Sequence, residues 1–130
     1  MVLVDSGVWI DAFRGANTSA TRRLRQLLEG PDVAVGDLIL TEVLQGFDSQ
    51  RDFDAAHEGL RRLPMVRIAG ARAAVMAARN YRLLRSRGVT VRKTIDTLIA
   101  TRCLMDGLEL LYIDRDFDPF VEHLGLRSAI

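Results

Sequence analysis

The chain has 130 residues, 48% of them hydrophobic and 27% charged, with a formal net charge of +1. This balance excludes disordered and fibrous proteins and predicts one globular domain over residues 1–130. No apolar stretch approaches the ~20 residues that span a bilayer, the opening "MVLVDSGVWID" lacks the basic start of a signal peptide, and the lone Cys103 excludes an internal disulfide and fits a reducing cytoplasm.

Taken in chain order, "MVLVD" is a short β-branched run ending in an acid and predicts a buried strand over residues 2–5. "NTSATRRLRQLLEGP" predicts a helix capped by Asn17 or Thr18 and stopped at Gly30-Pro31. "DVAVG" is a second strand, and "DLILTEVLQG" a short helix with Gly46 beyond its end. "SQRDFDAAHEGLRRLP" opens with Ser49 and an acid three residues on, a near capping box, and closes at Pro64. "MVRIA" is a third strand. Residues 71–87 form an alanine-rich helix closed by Gly88. Thr94 caps a helix that ends at Gly107, "LELLYID" is a fourth strand, and Asp118-Pro119 starts a last short helix. "LRSAI" is read as an edge strand. Alternating strands and helices imply a parallel sheet covered by helices on both faces. Ligands in such sheets bind outside the carboxyl ends of the strands.

Acids fall there. Asp5 follows "VLV", and Asp114 and Asp116 follow "LLYI". Glu42 interrupts the apolar run "LILTEVL", and Asp96 interrupts "TIDTLIA". Each has an ordinary explanation: a turn for Asp5, a surface position for Glu42, a helix-dipole partner for Asp96, loop acids for Asp114 and Asp116. One metal site accounts for all five. Two carboxylates ~4 Å apart repel by about 4 kcal/mol at an effective dielectric near 20, a large part of the ~5–15 kcal/mol that stabilises a domain. A hard dication such as Mg²⁺ or Mn²⁺ removes that repulsion through oxygen ligands. His57 and His123 lie outside these motifs, which argues against zinc and against a histidine base. Asp118 needs no metal, since an N-cap before Pro119 explains it.

The set "VDSGVWID", "LTEVLQG", "TIDTLIA" and "YIDRDFDPF", in this order, resembles the PIN-domain ribonucleases, and most of all the VapC toxins of bacterial toxin–antitoxin pairs. The resemblance covers essentially the whole chain. It implies a three-layer α/β/α domain with a mostly parallel five-stranded sheet. It also implies an acidic quartet of Asp5, Glu42, Asp96 and Asp114, with Asp116 as a fifth acid and Ser6 helping to orient the site. The expected chemistry is Mg²⁺- or Mn²⁺-assisted hydrolysis of RNA phosphodiester bonds, with Asp5, Asp96 and Asp114 holding the ion and Glu42 and Asp116 bound directly or through water.

Of the 18 basic residues, 17 are arginine and only Lys93 is lysine. GC-rich coding is one source of that bias, and phosphate recognition by arginine is another. Arg79, Arg82 and Arg85 recur every third residue, Arg92 and Lys93 precede the Asp96 helix, and Arg115 stands between two candidate ligands, so all six are candidate RNA contacts. Trp9 and Phe13 are read as core, with base stacking as the alternative. Two other enzyme and signalling classes fit less well. A haloacid-dehalogenase-like phosphatase wants an acid where Gly7 stands, and a receiver domain wants an aspartate after "MVRIAG". A non-catalytic RNA-binding module would not need the acidic set. The resemblance further implies a cytoplasmic homodimer, without membrane contact, that binds a cognate VapB-like antitoxin. That partner would be an apolar, arginine-bearing segment held between the helices of residues 17–30 and 37–62.

Overall fold

A computed structural model describes residues 1–130. Its strands are β1 (Val2–Val4), β2 (Val33–Gly36), β3 (Met65–Val66) and β4 (Glu109–Leu111). They form one parallel sheet in the order β3-β2-β1-β4. β1 and β2 are buried along their whole length, as continuous Val/Leu/Ala runs require when helices cover both faces. The helices are α1 (Ser6–Phe13), α2 (Ser19–Leu28), α3 (Asp37–Leu44), α4 (Gln50–Leu60), α5 (Ala71–Ser86), α6 (Thr94–Asp106) and α7 (Asp118–Leu124), with a 3₁₀ turn at Arg115–Phe117 before α7. α1 packs on α2 and α3 and α3 on α4, whereas α5 packs on α6 and α7, giving the two outer layers of an α/β/α domain.

The sequence-derived boundaries hold for most helices. Thr18 and Thr21 form a reciprocal capping box at α2, Ser49 accepts the Asp52 amide at 3.0 Å, and Gly107 takes the left-handed C-terminal position of α6 at φ 67°. Four expectations need correction. The fifth strand is a single parallel bridge between Leu110 and Ser128, so the sheet has four strands. The short "LRSAI" segment follows α7 and its Gly125 turn too closely to run further along β4. β3 and β4 are shorter than expected, because the chain leaves the sheet after Val66 and Leu111 to enter loops. Lys93, not Thr94, is the N-cap residue of α6, and no side chain caps that end.

Residues 6–13, which show no helical signature in the sequence, form α1. Asp5 still donates its amide to the Leu111 carbonyl at 2.9 Å, as a strand residue would. Its own carbonyl then accepts the Val8 amide at 3.2 Å, so strand passes to helix with no intervening loop. Burial of Val8 and Trp9 holds that helix against the core despite Gly7 and the β-branched residues.

One glycine is demanded by packing. A Cβ at Gly36 would lie 2.7 Å from the Ile68 side chain, where β2 turns into α3. Asp37, the next residue, fixes this corner by accepting the Ile68 amide at 3.0 Å and the Leu38 amide at 2.8 Å through one oxygen. From β1 the chain moves outward through β2 to β3, then returns across the sheet to β4 on the other side of β1. The sheet's topological switch therefore lies between β1 and β4, and Asp5 and Asp114 follow those two strands.

Candidate metal centre

Four backbone devices aim the acids at this switch. Asp5 ends β1 in extended geometry (φ −70°, ψ 157°) and is 6% exposed. Asp114 caps the 3₁₀ turn, its Oδ1 accepting the Asp116 amide at 2.9 Å, which leaves Oδ2 for other partners. Asp96 sits in the first turn of α6, also 6% exposed, and Glu42 projects half-buried from α3.

Asp5, Ser6, Glu42, Asp96 and Asp114 line one cavity of about 330 Å³, together with Gly7, Ile10, Lys93 and Ile113. Asp116 flanks it. One carboxylate oxygen from each of Asp96, Asp114 and Asp116 lies within 4.8 Å of the others. The tightest triple therefore contains Asp116, expected from the sequence as a direct or water-mediated ligand, in place of Asp5.

Electrostatics register this crowding. The Asp5 carboxyl is pushed up to about 7, first by burial and then by the charges of Asp96 and Glu42, while the Ser6 and Gly7 amides pull the other way. Burial is also the main reason that Asp96 rises to about 6, with Asp114, Glu42 and Asp116 adding to it and Lys93 opposing. Glu42 is raised by burial, against the Ser6 hydroxyl and Lys93. Buried Glu42 Oε1 and Asp96 Oδ2 have no hydrogen-bond partner. Such atoms normally find one, so two acceptors here stand ready for a cation or donor. This donor set of carboxylate oxygens without imidazole or thiolate suits Mg²⁺ or Mn²⁺.

The predicted cations divide. Lys93 Nζ lies 3.7 Å from Asp114 Oδ2, and Arg92 Nη2 lies 3.1 Å from Asp116 Oδ1. Arg115 is exposed and makes no side-chain hydrogen bond or ion pair. Arg79, Arg82 and Arg85 are all exposed on α5. Arg82 lines a separate cavity of about 390 Å³ with Thr94 and Thr97, neighbours of Asp96 on α6. Arg85 lies 5.6 Å from the Tyr81 ring centroid.

Trp9 is buried, as core. Phe13 is 44% exposed, stacked on Trp9 at 6.3 Å and edge-on to Phe47 at 5.6 Å. Phe13 and Phe47 line a groove of about 430 Å³ that also takes in Ile10, Val43, Asp48 and Asp52. Its walls are α1, α3 and the start of α4. The helix of residues 17–30 does not line it, because α1 stands where that wall was expected. Ile10 lines both groove and pit, so the two adjoin.

Asp118 is not an N-cap. It is the first residue of α7, and its Oδ1 accepts the Tyr112 hydroxyl at 2.8 Å. Burial first, and Asp118 second, push the Tyr112 phenol up to about 12. Asp118→Asn keeps an acceptor for this hydroxyl and should leave RNA cleavage unchanged. Asp118→Ala strands the phenol and should cost about 1 kcal/mol in urea unfolding. A loss of activity in Asp118→Asn would place this acid in the site after all.

Sequence reasoning missed what three residues do at these surfaces. Lys93 was read as an RNA-contact candidate, and it lines the pit. A Cβ at Gly7 would stand 3.3 Å from Ile113, so the small residue lets β4's exit loop close on α1. Phe47, just past a helix stop, carried no signal beyond its exposure-prone position.

A parallel α/β/α domain with an acidic pit at its sheet switch is the class that fold and site define. The PIN domain family model matches residues 2–121. Ribonuclease VapC11 of Mycobacterium tuberculosis is 30% identical over 131 residues, covering 99% of this chain and 98% of that protein, and a VapC ribonuclease of Mycobacterium bovis matches equally. The chain belongs to the PIN domain family. Among solved structures, VapBC2 from Rickettsia felis bound to a promoter DNA fragment has a TM-score of 0.75 at 16% identity, covering 98% of this chain and 97% of the other. A toxin–antitoxin complex from Klebsiella pneumoniae has a TM-score of 0.70 at 22% identity, covering 100% and 98%. These two likenesses establish the fold.

Proposed function

We propose that this protein is an Mg²⁺- or Mn²⁺-dependent endoribonuclease, the toxin of a toxin–antitoxin pair, acting in the cytoplasm and restrained by a cognate VapB-like antitoxin. The observation that carries this reading is the convergence of five acids on one pit with two buried carboxylate oxygens unpartnered. The VapC ribonucleases it resembles along nearly their whole length, and the antitoxin-bound toxins that share its fold, give the reading its direction.

Asp96, Asp114 and Asp116 would hold the ion, with Asp5 and Glu42 completing the shell directly or through water, and Ser6 orienting Glu42. A bound divalent ion supplies Lewis-acid activation of a water and neutralises charge on the scissile phosphate. One of these acids would accept the proton of the activated water. The exposed arginines of α5, with Arg92, Lys93 and Arg115, bring the phosphate backbone to an otherwise repelling pit. A homodimer is the assembly in which we place this chain.

The decisive experiment is cleavage of a structured RNA by protein purified from cells lacking its own ribonucleases. Excess chelator should abolish cleavage, and added Mg²⁺ or Mn²⁺ should restore it. Cleavage that persists with chelator overturns the metal-dependent reading. Joint replacement of Arg79, Arg82 and Arg85 by glutamine should weaken RNA binding and flatten the plot of log affinity against log salt by about 2. An unchanged slope would return these arginines to a solvated helix face.

A further inference from the structure

In a chain with 17 arginines, the single lysine lines the acidic pit. Lys93 is the N-cap residue of α6, yet its side chain makes no cap. Its ammonium lies 3.7 Å from Asp114 Oδ2, in a cavity it shares with Asp5, Glu42 and Asp96. Arg92 beside it engages Asp116, so two consecutive cations cover two adjacent acids of the cluster. Neither contact is locked. The side chains of Lys93 and Arg92 are 63% and 79% exposed, and exposed ion pairs are weak. Lysine also differs from arginine in carrying a compact charge on a flexible stem, without a planar fork to hold it in one geometry. Deeper in the pit, the buried Glu42 Oε1 and Asp96 Oδ2 are left unpartnered, so Lys93 covers the rim and leaves the floor free.

From this arrangement we propose that Lys93 is a built-in counter-cation of the pit, competing with the divalent ion for Asp114 and thereby setting how tightly the metal is held. The inference rests on the metal-binding reading given above. In metal-free protein the ammonium offsets the mutual repulsion of the acids. When a dication takes Asp114, the ammonium must give up its partner and lie beside a doubly positive charge, and both effects lower metal affinity.

The test is direct binding of Mn²⁺ to the full chain after chelator removal, by calorimetry, with thermal unfolding measured in parallel. Lys93→Gln should bind Mn²⁺ about threefold to tenfold more tightly than the wild type and unfold at a lower temperature when metal-free. Lys93→Arg keeps the charge and should stay within about twofold of the wild type. Arg25→Gln, a charge loss at an exposed position on α2 away from the pit, should leave Mn²⁺ affinity unchanged. Equal or weaker Mn²⁺ binding by Lys93→Gln overturns the inference alone, as does an equal gain in Arg25→Gln. Absence of Mn²⁺ binding to any of these proteins overturns the metal-site reading and this inference with it.

Discussion

Asp96→Asn should lower RNA cleavage by about a hundredfold or more, the usual scale for losing one preorganised charge at a reacting phosphate or carbonyl, while making the metal-free protein more stable. Both effects have one cause. Burial, and then the neighbouring Asp114, Glu42 and Asp116, raise this carboxyl to about 6 from an ordinary 3.8. A carboxyl whose folded value exceeds its unfolded one keeps its proton in the fold at pH values where the unfolded chain has lost it. The folded state therefore binds more protons, and stability falls as pH rises through that window. The penalty is absent below about pH 4 and complete once Asp96 has ionised in the fold; Asp5 extends the window to about 7. Asparagine removes the Asp96 share and gives its acidic neighbours a neutral donor. In chelator at pH 7.5 the variant should melt roughly 3–8 °C above the wild type. Its melting temperature should also change less between pH 7.5 and 5.5. Saturating Mn²⁺ should reverse the order of the two proteins, since only the wild type offers the full ligand set. An Asp96→Asn protein that cleaves RNA normally, or that melts lower than the wild type in chelator, would refute this assignment.

The second large effect concerns the proposed partner. Expression of this chain alone should arrest growth, and co-expression with the antitoxin gene should relieve the arrest through a complex that co-purifies. The groove beside the pit has the chemistry to seat such a segment. Exposed Phe13 and half-buried Phe47 offer apolar surface, and Asp48 and Asp52, against the one cation Arg14, offer negative charge at its margin. Ile10 joins this groove to the acidic cavity, so a segment lying along it can bring a cationic side chain to the carboxylates. Aromatic anchors dominate interfaces of this kind, and removing one typically costs 2 kcal/mol or more. Phe13→Ser should therefore weaken the complex at least about thirtyfold in a titration against purified antitoxin. Circular dichroism would verify that the variant is folded. Undiminished affinity would move the docking surface elsewhere, and harmless high-level expression of active protein without any partner would overturn the toxin reading while leaving the nuclease reading intact.

Much of this molecule could be read from residue order. Short buried strands announce themselves as continuous Val/Leu/Ala runs, and α2, α4 and α6 carry caps or glycine stops whose backbone chemistry is local. Acids within apolar runs, at positions 42 and 96, or directly after strands, at 5 and 114, stand out because a buried charge needs a partner wherever the chain folds. Those signals sufficed for a parallel α/β domain with a carboxylate site at the strand ends.

What tertiary structure alone decided is how these elements meet. Helix α1 exists because burial of Val8 and Trp9 overrides weak local preference, and its presence replaces the helix of residues 17–30 as a groove wall. The number of strands depended on how far the last five residues could follow β4, which is fixed by the turn after α7. Asp118 gave up a capping role for the Tyr112 hydroxyl, a contact that spacing could not reveal. Above all, the order of closeness among five acids is a three-dimensional quantity. A 3₁₀ turn after β4 swings Asp116 next to Asp96 and Asp114, and the uncapped start of α6 turns Lys93 into the pit. Side-chain chemistry selects which residues can form a site, but loop geometry sets which oxygens come within a few ångströms of one another, and electrostatic energy depends on that distance.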